Sequence, residues 1–318
     1  MTLHVRLLSP SNPDDHLYLP AIARIHLAAW LTVPLMRAIY YGPPEAYPGY
    51  ISSMLERHSQ AFHREENCRF AVVLDDTLPA DEEVVVVVEE EEEEQRTVNA
   101  RGRPKGRVIA AIKYYIIDNG PAPAASATTN TTTAPEQNSA GASSTAKRTW
   151  PPYSHAALAS DFWSHLVQAR TRLNAFLGSH VLVDNLYTDP AHHRRGAGGM
   201  LMRYACDEAD RRGWPSMLEA SPKGIGVYES VGFQRFNPGG SDEPGGAEIW
   251  VDLHRWENGG DRGVEFSEQR LKQVQDDGRR GEGWYCQVLM VRPAGTASTS
   301  PSDQKEAAEV GKGEAAVV

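Results

Sequence analysis

The chain has 318 residues, a formal net charge of −10 and three cysteines, Cys68, Cys206 and Cys286. So sparse and odd a set excludes a disulfide-stapled secreted scaffold and suits a reducing compartment. No apolar run approaches the ~20 residues that a membrane span needs. The charge is local, because nine acids fall at Asp81, Glu82, Glu83 and Glu89 to Glu94. Without them the chain is close to neutral, so they describe a solvated, self-repelling run rather than a face for cationic partners. The basic cluster Arg101-Gly-Arg-Pro-Lys-Gly-Arg107 is short and sits beside that run, which argues against a nucleic-acid partner. The first residues carry no secretion signal, and a soluble cytoplasmic or nuclear protein without a membrane partner is expected.

His4–Ser9 reads as a first strand. Leu19–Tyr41 has apolar residues at helical spacing (Ile22, Ile25, Leu27, Trp30, Leu31) and is expected to break near Pro34. Tyr50–Glu66 follows with a second helical pattern. Arg69–Leu74 and Val108–Ile117 form a hairpin whose turn, at about 76–106, is inflated by the acidic segment. A second insertion, at about 119–150, is almost entirely Pro, Ala, Ser, Thr, Asn and Gly, a composition expected to be disordered because it buries little apolar surface. Phe162, Leu166, Ala169, Leu173 and Phe176 then repeat at three and four, and this helix is expected simply to pack on the sheet.

Val181–Thr188 is a strand, rich in β-branched and aromatic residues. Out of it runs Asp189-Pro-Ala-His-His-Arg-Arg-Gly-Ala-Gly-Gly-Met-Leu-Met202, a glycine-rich turn that opens a helix. Glycines there bring backbone N–H groups close to a ligand, and the helix start offers unsatisfied donors and a positive dipole end, which suits a pyrophosphate. Neither a dinucleotide Gly-x-Gly-x-x-Gly nor a P-loop Gly-Lys-Ser/Thr is present. The helix carries Leu201, Tyr204, Ala205 and Ala209 inward and stops at Gly213. Ser216–Ala220 is a short strand, followed by Ser221-Pro-Lys-Gly-Ile-Gly-Val-Tyr-Glu-Ser-Val-Gly-Phe233. Glu248–Leu253 and Tyr285–Val291 finish as strands around a polar excursion at about 255–283, and 293–318 reads as a disordered tail. His192 and His193 are adjacent, with no partners at zinc spacing, so no metal is expected.

The glycine turn, standing as His193-Arg194-Arg195-Gly196-Ala197-Gly198, resembles motif A of the Gcn5-related N-acetyltransferase (GNAT) superfamily, with His in place of the usual first Gln or Arg. Tyr228-Glu-Ser-Val-Gly-Phe233 resembles the Tyr-Glu-x-x-Gly-Phe of the same family's motif B. The resemblance covers roughly residues 3–292 and is specific over Leu182–Phe233. It implies a single α/β (α+β) domain: a mixed, mostly antiparallel sheet with one splayed parallel strand pair and helices on both faces.

The implied activity is transfer of an acetyl group from acetyl-CoA, the co-substrate, to a primary amine by direct attack in a ternary complex. Leu186, Tyr187 and Thr188 are implied to hold the pantetheine arm. His193, Arg194, Arg195, Gly196, Ala197, Gly198, Gly199 and Met200 are implied to take the pyrophosphate, with Ser221 where many members carry Asn. Tyr228 matches the acid that protonates the departing thiolate. The base is left between Asp184 and Glu219, directly or through an ordered water. The same residues suit a catalytically silent acyl-CoA-binding sensor or scaffold of this fold. The amine acceptor is not named by any residue of the chain.

Overall fold

The computed structural model describes residues 3–80, 106–120, 149–237, 248–274 and 280–295. The insertions and tail expected from composition fall largely outside those residues.

Strand β1 (Leu3–Leu8) leads into α1 (Leu19–Trp30). Pro34 does not merely bend the helical pattern but separates it into α1 and α2 (Pro34–Ile39). Its ring fixes φ and removes an N–H, which costs nothing in the first turn of a new helix. In α3 (Tyr47–Arg64), Tyr50, Met54, His58, Ala61 and Phe62 form the buried stripe. β2 (Cys68–Asp75) and β3 (Arg107–Ile117) pair antiparallel. α4 (Ala156–Leu177) starts at His155, whose Nδ1 accepts from the Leu158 N–H at 3.3 Å, and stops at Gly178, where φ is +67°. Next come β4 (His180–Thr188), α5 (Ala197–Arg212), β5 (Ser216–Ala220), α6 (Ile225–Glu229) and β6 (Gln234–Arg235). β7 (Glu248–Asp252), α7 (Val264–Val274) and β8 (Trp284–Arg292) end the described chain. The polar excursion therefore contains a helix, which its composition concealed.

The sheet runs β1-β2-β3-β4-β5-β8-β6, with β7 also on β8. Every pairing is antiparallel except β4 with β5. It separates two apolar layers. One, which includes Ile22, Ile25, Met54, Phe162 and Leu166, lies under α1 to α4. The other, with Leu201, Met202, Ala205 and Ala209 of α5, covers the opposite face. Leu201 is fully buried, and such a side chain contributes ~1.5–3 kcal/mol.

One irregularity positions everything that follows. On β3, Lys113 faces Asn185 and Tyr114 faces Val183, so Asp184 is an extra residue with no partner there. Such a bulge bends the strand and inverts its alternation. Before it Leu182 faces the α1–α4 layer; after it Tyr187 does, and Leu186 faces α5. The parallel ladder with β5 ends at the same place, its last pair being Val183 with Leu218. The two strands part there.

Candidate functional site

The fork between β4 and β5 opens into a cleft of about 1710 Å³. One wall is made by Leu186, Tyr187, Thr188, His193, Arg194 and Gly196 to Gly199; the other includes Leu218, Glu219, Ser221, Lys223, Gly224 and Tyr228. The first wall is shaped by a short-range code. Asp189 accepts from the Ala191 N–H at 3.0 Å and from Arg24 Nη1 at 3.1 Å, which pins the turn to α1. Arg194 and Gly196 both adopt left-handed backbone, with φ of +60° and +84°. That conformation suits glycine and costs an arginine strain. α5 then begins with no side-chain cap on its first N–H groups, leaving donors and a positive dipole end at the cleft. A Cβ on Gly198 would stand 3.4 Å from Thr188 Oγ1, an ordinary contact, so the wall is closely bordered but not crowded.

Two residues expected in this wall lie elsewhere. Arg195 turns to the side of β2, where its Nη2 donates to Asp75 and its Nη1 lies 3.2 Å from His192 Nδ1. Asp75 is fully buried, and its hydrogen bonds from Thr77 and then Arg195 draw its carboxyl down to about 2. A buried carboxylate claims the guanidinium more strongly than an open cleft does. Met200 packs against the apolar layer below α5. Neither lines the cleft.

Tyr228 is brought to the second wall by α6, with its ring edge-on to Phe233 at 6.2 Å. Gly224 makes room for it, since a Cβ there would lie 2.7 Å from the tyrosine ring. Burial, and secondarily the charge of Glu219, push the phenol up to about 12. It stays protonated across the neutral range.

The two candidate bases do not stand free. Glu219 accepts from Arg170 Nε at 2.6 Å and Nη2 at 2.8 Å, while Asp184 accepts from Arg170 Nη1 at 2.8 Å. Lys113 Nζ lies 2.7 Å from the other Asp184 oxygen. Burial opposes ionisation of Asp184, yet Lys113 and Arg170 outweigh it and hold the carboxyl well below the usual carboxylate range. So firmly ionised a group takes a proton poorly. Arg170 and Lys113 escaped the sequence reading. Arg170 sits four residues after Leu166 on the apolar stripe of α4, and Lys113 is the one charge inside an apolar run of β3. A charge on an inward face was the available signal.

Behind Tyr187 lies a pair of histidines that periodicity reads only as core. His26 stacks on the Tyr187 ring at 4.2 Å, and its Nδ1 is 2.9 Å from His58 Nε2. Burial pushes His58 down to about 3 and His26 well below its ordinary value. Both are neutral at physiological pH. At the far end the cleft is walled by rings: Trp30 stands 5.8 Å from Tyr40 and 5.9 Å from Trp163, which is 5.2 Å from Trp150. Among the described residues no group of His, Cys, Asp and Glu is arranged to hold a metal ion, and no helix is long and apolar enough to cross a membrane.

Residues 163–235 match the family model described as an acetyltransferase (GNAT) domain. A curated relative, the ribosomal protein bS18 alanine N-acetyltransferase of Salmonella typhimurium, is 35% identical over 74 residues, covering 20% of this chain and 50% of that protein. The chain thus spans half the length of this relative. Among solved structures, arylalkylamine N-acetyltransferase 2 from Aedes aegypti superposes with a TM-score of 0.50 at 11% identity, over 93% of this chain and 100% of that one. The PaiA N-acetyltransferase of Thermoplasma acidophilum in complex with coenzyme A gives a TM-score of 0.36 at 12% identity, over 76% and 95%. Residues 163–235 thus resemble the GNAT acetyltransferase domain that the two motifs imply.

Proposed function

We propose that this chain is an N-acetyltransferase that moves an acetyl group from acetyl-CoA to a primary amine by direct attack in a ternary complex. The observation that carries the reading is the fork. The uncapped α5 start lines one side of a single cleft and the protonated Tyr228 phenol lines the other. Backbone donors from Gly196 to Gly199, with Arg194, take the pyrophosphate, and Leu186, Tyr187, Thr188 and Ser221 line the path of the pantetheine arm. The amine nitrogen attacks the thioester carbonyl and the C–S bond breaks. The thiolate takes its proton from Tyr228, and the ammonium proton leaves through Glu219 or a water held by it. Holding the reactants in line in one cleft supplies much of the acceleration.

The acceptor enters from the face of α1 to α4, because α5 fills the other. The name of the Salmonella relative, an alanine N-acetyltransferase, supports an amine acceptor. The catalytic domain is proposed to span 3–292, with the composition-biased insertions and the 293–318 tail outside its core. The silent acyl-CoA-binding reading draws support from the engagement of both carboxylates by cations.

Calorimetry with acetyl-CoA, NAD and ATP, followed by release of free CoA thiol across a panel of amines, tests the proposal. Selective acetyl-CoA binding with turnover on at least one amine is expected. Binding of NAD or ATP in its place would remove the acyl-CoA reading altogether. Acetyl-CoA binding without turnover on any amine would leave the silent form.

A further inference from the structure

The ladder between β4 and β5 pairs Val181 with Ser216, Leu182 with Met217 and Val183 with Leu218. The next rung would join Asp184 to Glu219, and these residues are not paired as strand neighbours. A side chain from a third element spans that rung instead. Arg170 of α4 donates with Nε and Nη2 to both oxygens of Glu219, and with Nη1 to Asp184. Lys113 of β3 closes the group from the far side. The side chains of Arg170, Asp184, Glu219 and Lys113 are 13%, 13%, 3% and 15% exposed. Glu219 is also held by its backbone, since its carbonyl oxygen accepts from Gln287 Nε2 at 2.8 Å, and Gln287 Oε1 accepts from the Tyr285 hydroxyl at 2.5 Å.

We infer that Arg170 is a positioning residue for acetyl transfer, clipping the two strands at the first open rung and fixing the Glu219 carboxylate at the mouth of the fork. The inference rests on the acetyl-transfer reading above. Stability alone gives a poor reason for the arrangement. Four charges withdrawn from water recover their desolvation cost only when geometry is excellent, and a well-packed apolar residue at such a place is often at least as stable. The neighbours of Arg170 on the α4 stripe, Leu166, Ala169 and Leu173, are apolar and buried. What the planar guanidinium adds is direction. Its rigid array of donors sets the distance and angle between two carboxylates on two diverging strands, which an ammonium on a flexible stem does not.

Glu219 is therefore aimed by α4. The charged and titratable groups around Glu219 are Arg170 from α4, Asp184 from β4, Lys113 from β3, Tyr228 from α6 and Tyr285 from β8. Removing Arg170 leaves two buried carboxylates with one cation between them.

The experiment compares full-length wild type with Arg170→Ala and Arg170→Lys. Turnover is followed at neutral pH, acetyl-CoA affinity by calorimetry and folding by melting temperature. Arg170→Ala is expected to lose turnover on the order of 10²-fold, as a misplaced catalytic group does, with acetyl-CoA affinity nearly unchanged. Added guanidinium, but not sodium at equal ionic strength, is expected to restore part of the rate. Arg170→Lys keeps a charge in the network and so guards against simple misfolding; it should fold, bind acetyl-CoA and still turn over slowly. Turnover loss that only tracks the melting temperature, with no guanidinium rescue, overturns the inference. So does Arg170→Lys with full activity. A wild type that binds acetyl-CoA and acetylates no amine overturns the acetyl-transfer reading, and this inference with it.

Discussion

Tyr228 carries the sharpest consequence of a single side chain. Its phenol, raised to about 12 by burial and by Glu219, keeps its proton far above neutral pH while a free thiol ionises at about 8–9. Tyr228→Phe preserves the ring, its contact with Phe233 and the space granted by Gly224. Turnover is expected to fall by roughly 10²–10⁴, the usual weight of a general acid, with melting temperature and acetyl-CoA affinity almost unchanged. Turnover near wild type in a folded variant would strike the tyrosine from the mechanism.

Asp75 gives a pH dependence of stability instead. Its folded carboxyl sits at about 2, below the ~3.9 of an unfolded aspartate. The unfolded chain therefore binds the proton first as pH falls. The contribution of the Asp75 group is complete above about pH 4 and is lost between about 4 and 2. Asp75→Asn should lower the melting temperature at pH 6, and the gap to wild type should narrow as pH falls through 4 towards 3. A gap constant with pH would show that the pairing with Arg195 contributes nothing electrostatic.

Among the elements, the β4–α5 junction and α4 divide the work. The junction offers the anion site, and the left-handed backbone at Gly196 suits glycine there. Gly198→Val places branched methyl groups beside Thr188 Oγ1, where even a bare Cβ would sit at 3.4 Å. Acetyl-CoA affinity is expected to fall below detection in calorimetry while circular dichroism stays that of the folded chain. Undiminished affinity would move the pyrophosphate away from this turn. The junction was legible because glycines at a strand-to-helix turn carry their reason in the local sequence. Arg195 was not, because its partner Asp75 lies 120 residues away on β2, and no local rule says which of two adjacent arginines a buried carboxylate will claim. The apolar stripe of α4 announces packing, and the helix does pack. The charge within that stripe marked a second role, but only the approach of β4 and β5 gives it partners.

At the scale of the whole molecule, one sheet with a layer on each face explains why the cleft has two ends of different character. α5 closes one face, and the rings of Trp30, Tyr40, Trp150 and Trp163 wall the other end. Residues 121–148 lie outside the described structure, and their composition cannot support a packed core. Replacing them with a short Gly/Ser linker should leave melting temperature and acetyl-CoA affinity nearly unchanged; a large drop in either would show that they pack on the domain.

The sequence by itself determined the order of strands and helices apart from β6 and α7, the break at Pro34, the glycine-opened helix and the tyrosine that follows it. Each of these depends on residues within a turn or two of one another, through periodicity, fixed φ or freedom to adopt a positive one. The tertiary structure alone decided where β4 bulges, which rung of the ladder is left open and which cations occupy it. A bulge and a buried charge network join four elements, α4, β3, β4 and β5, and their energies depend on distances that no stretch of chain contains.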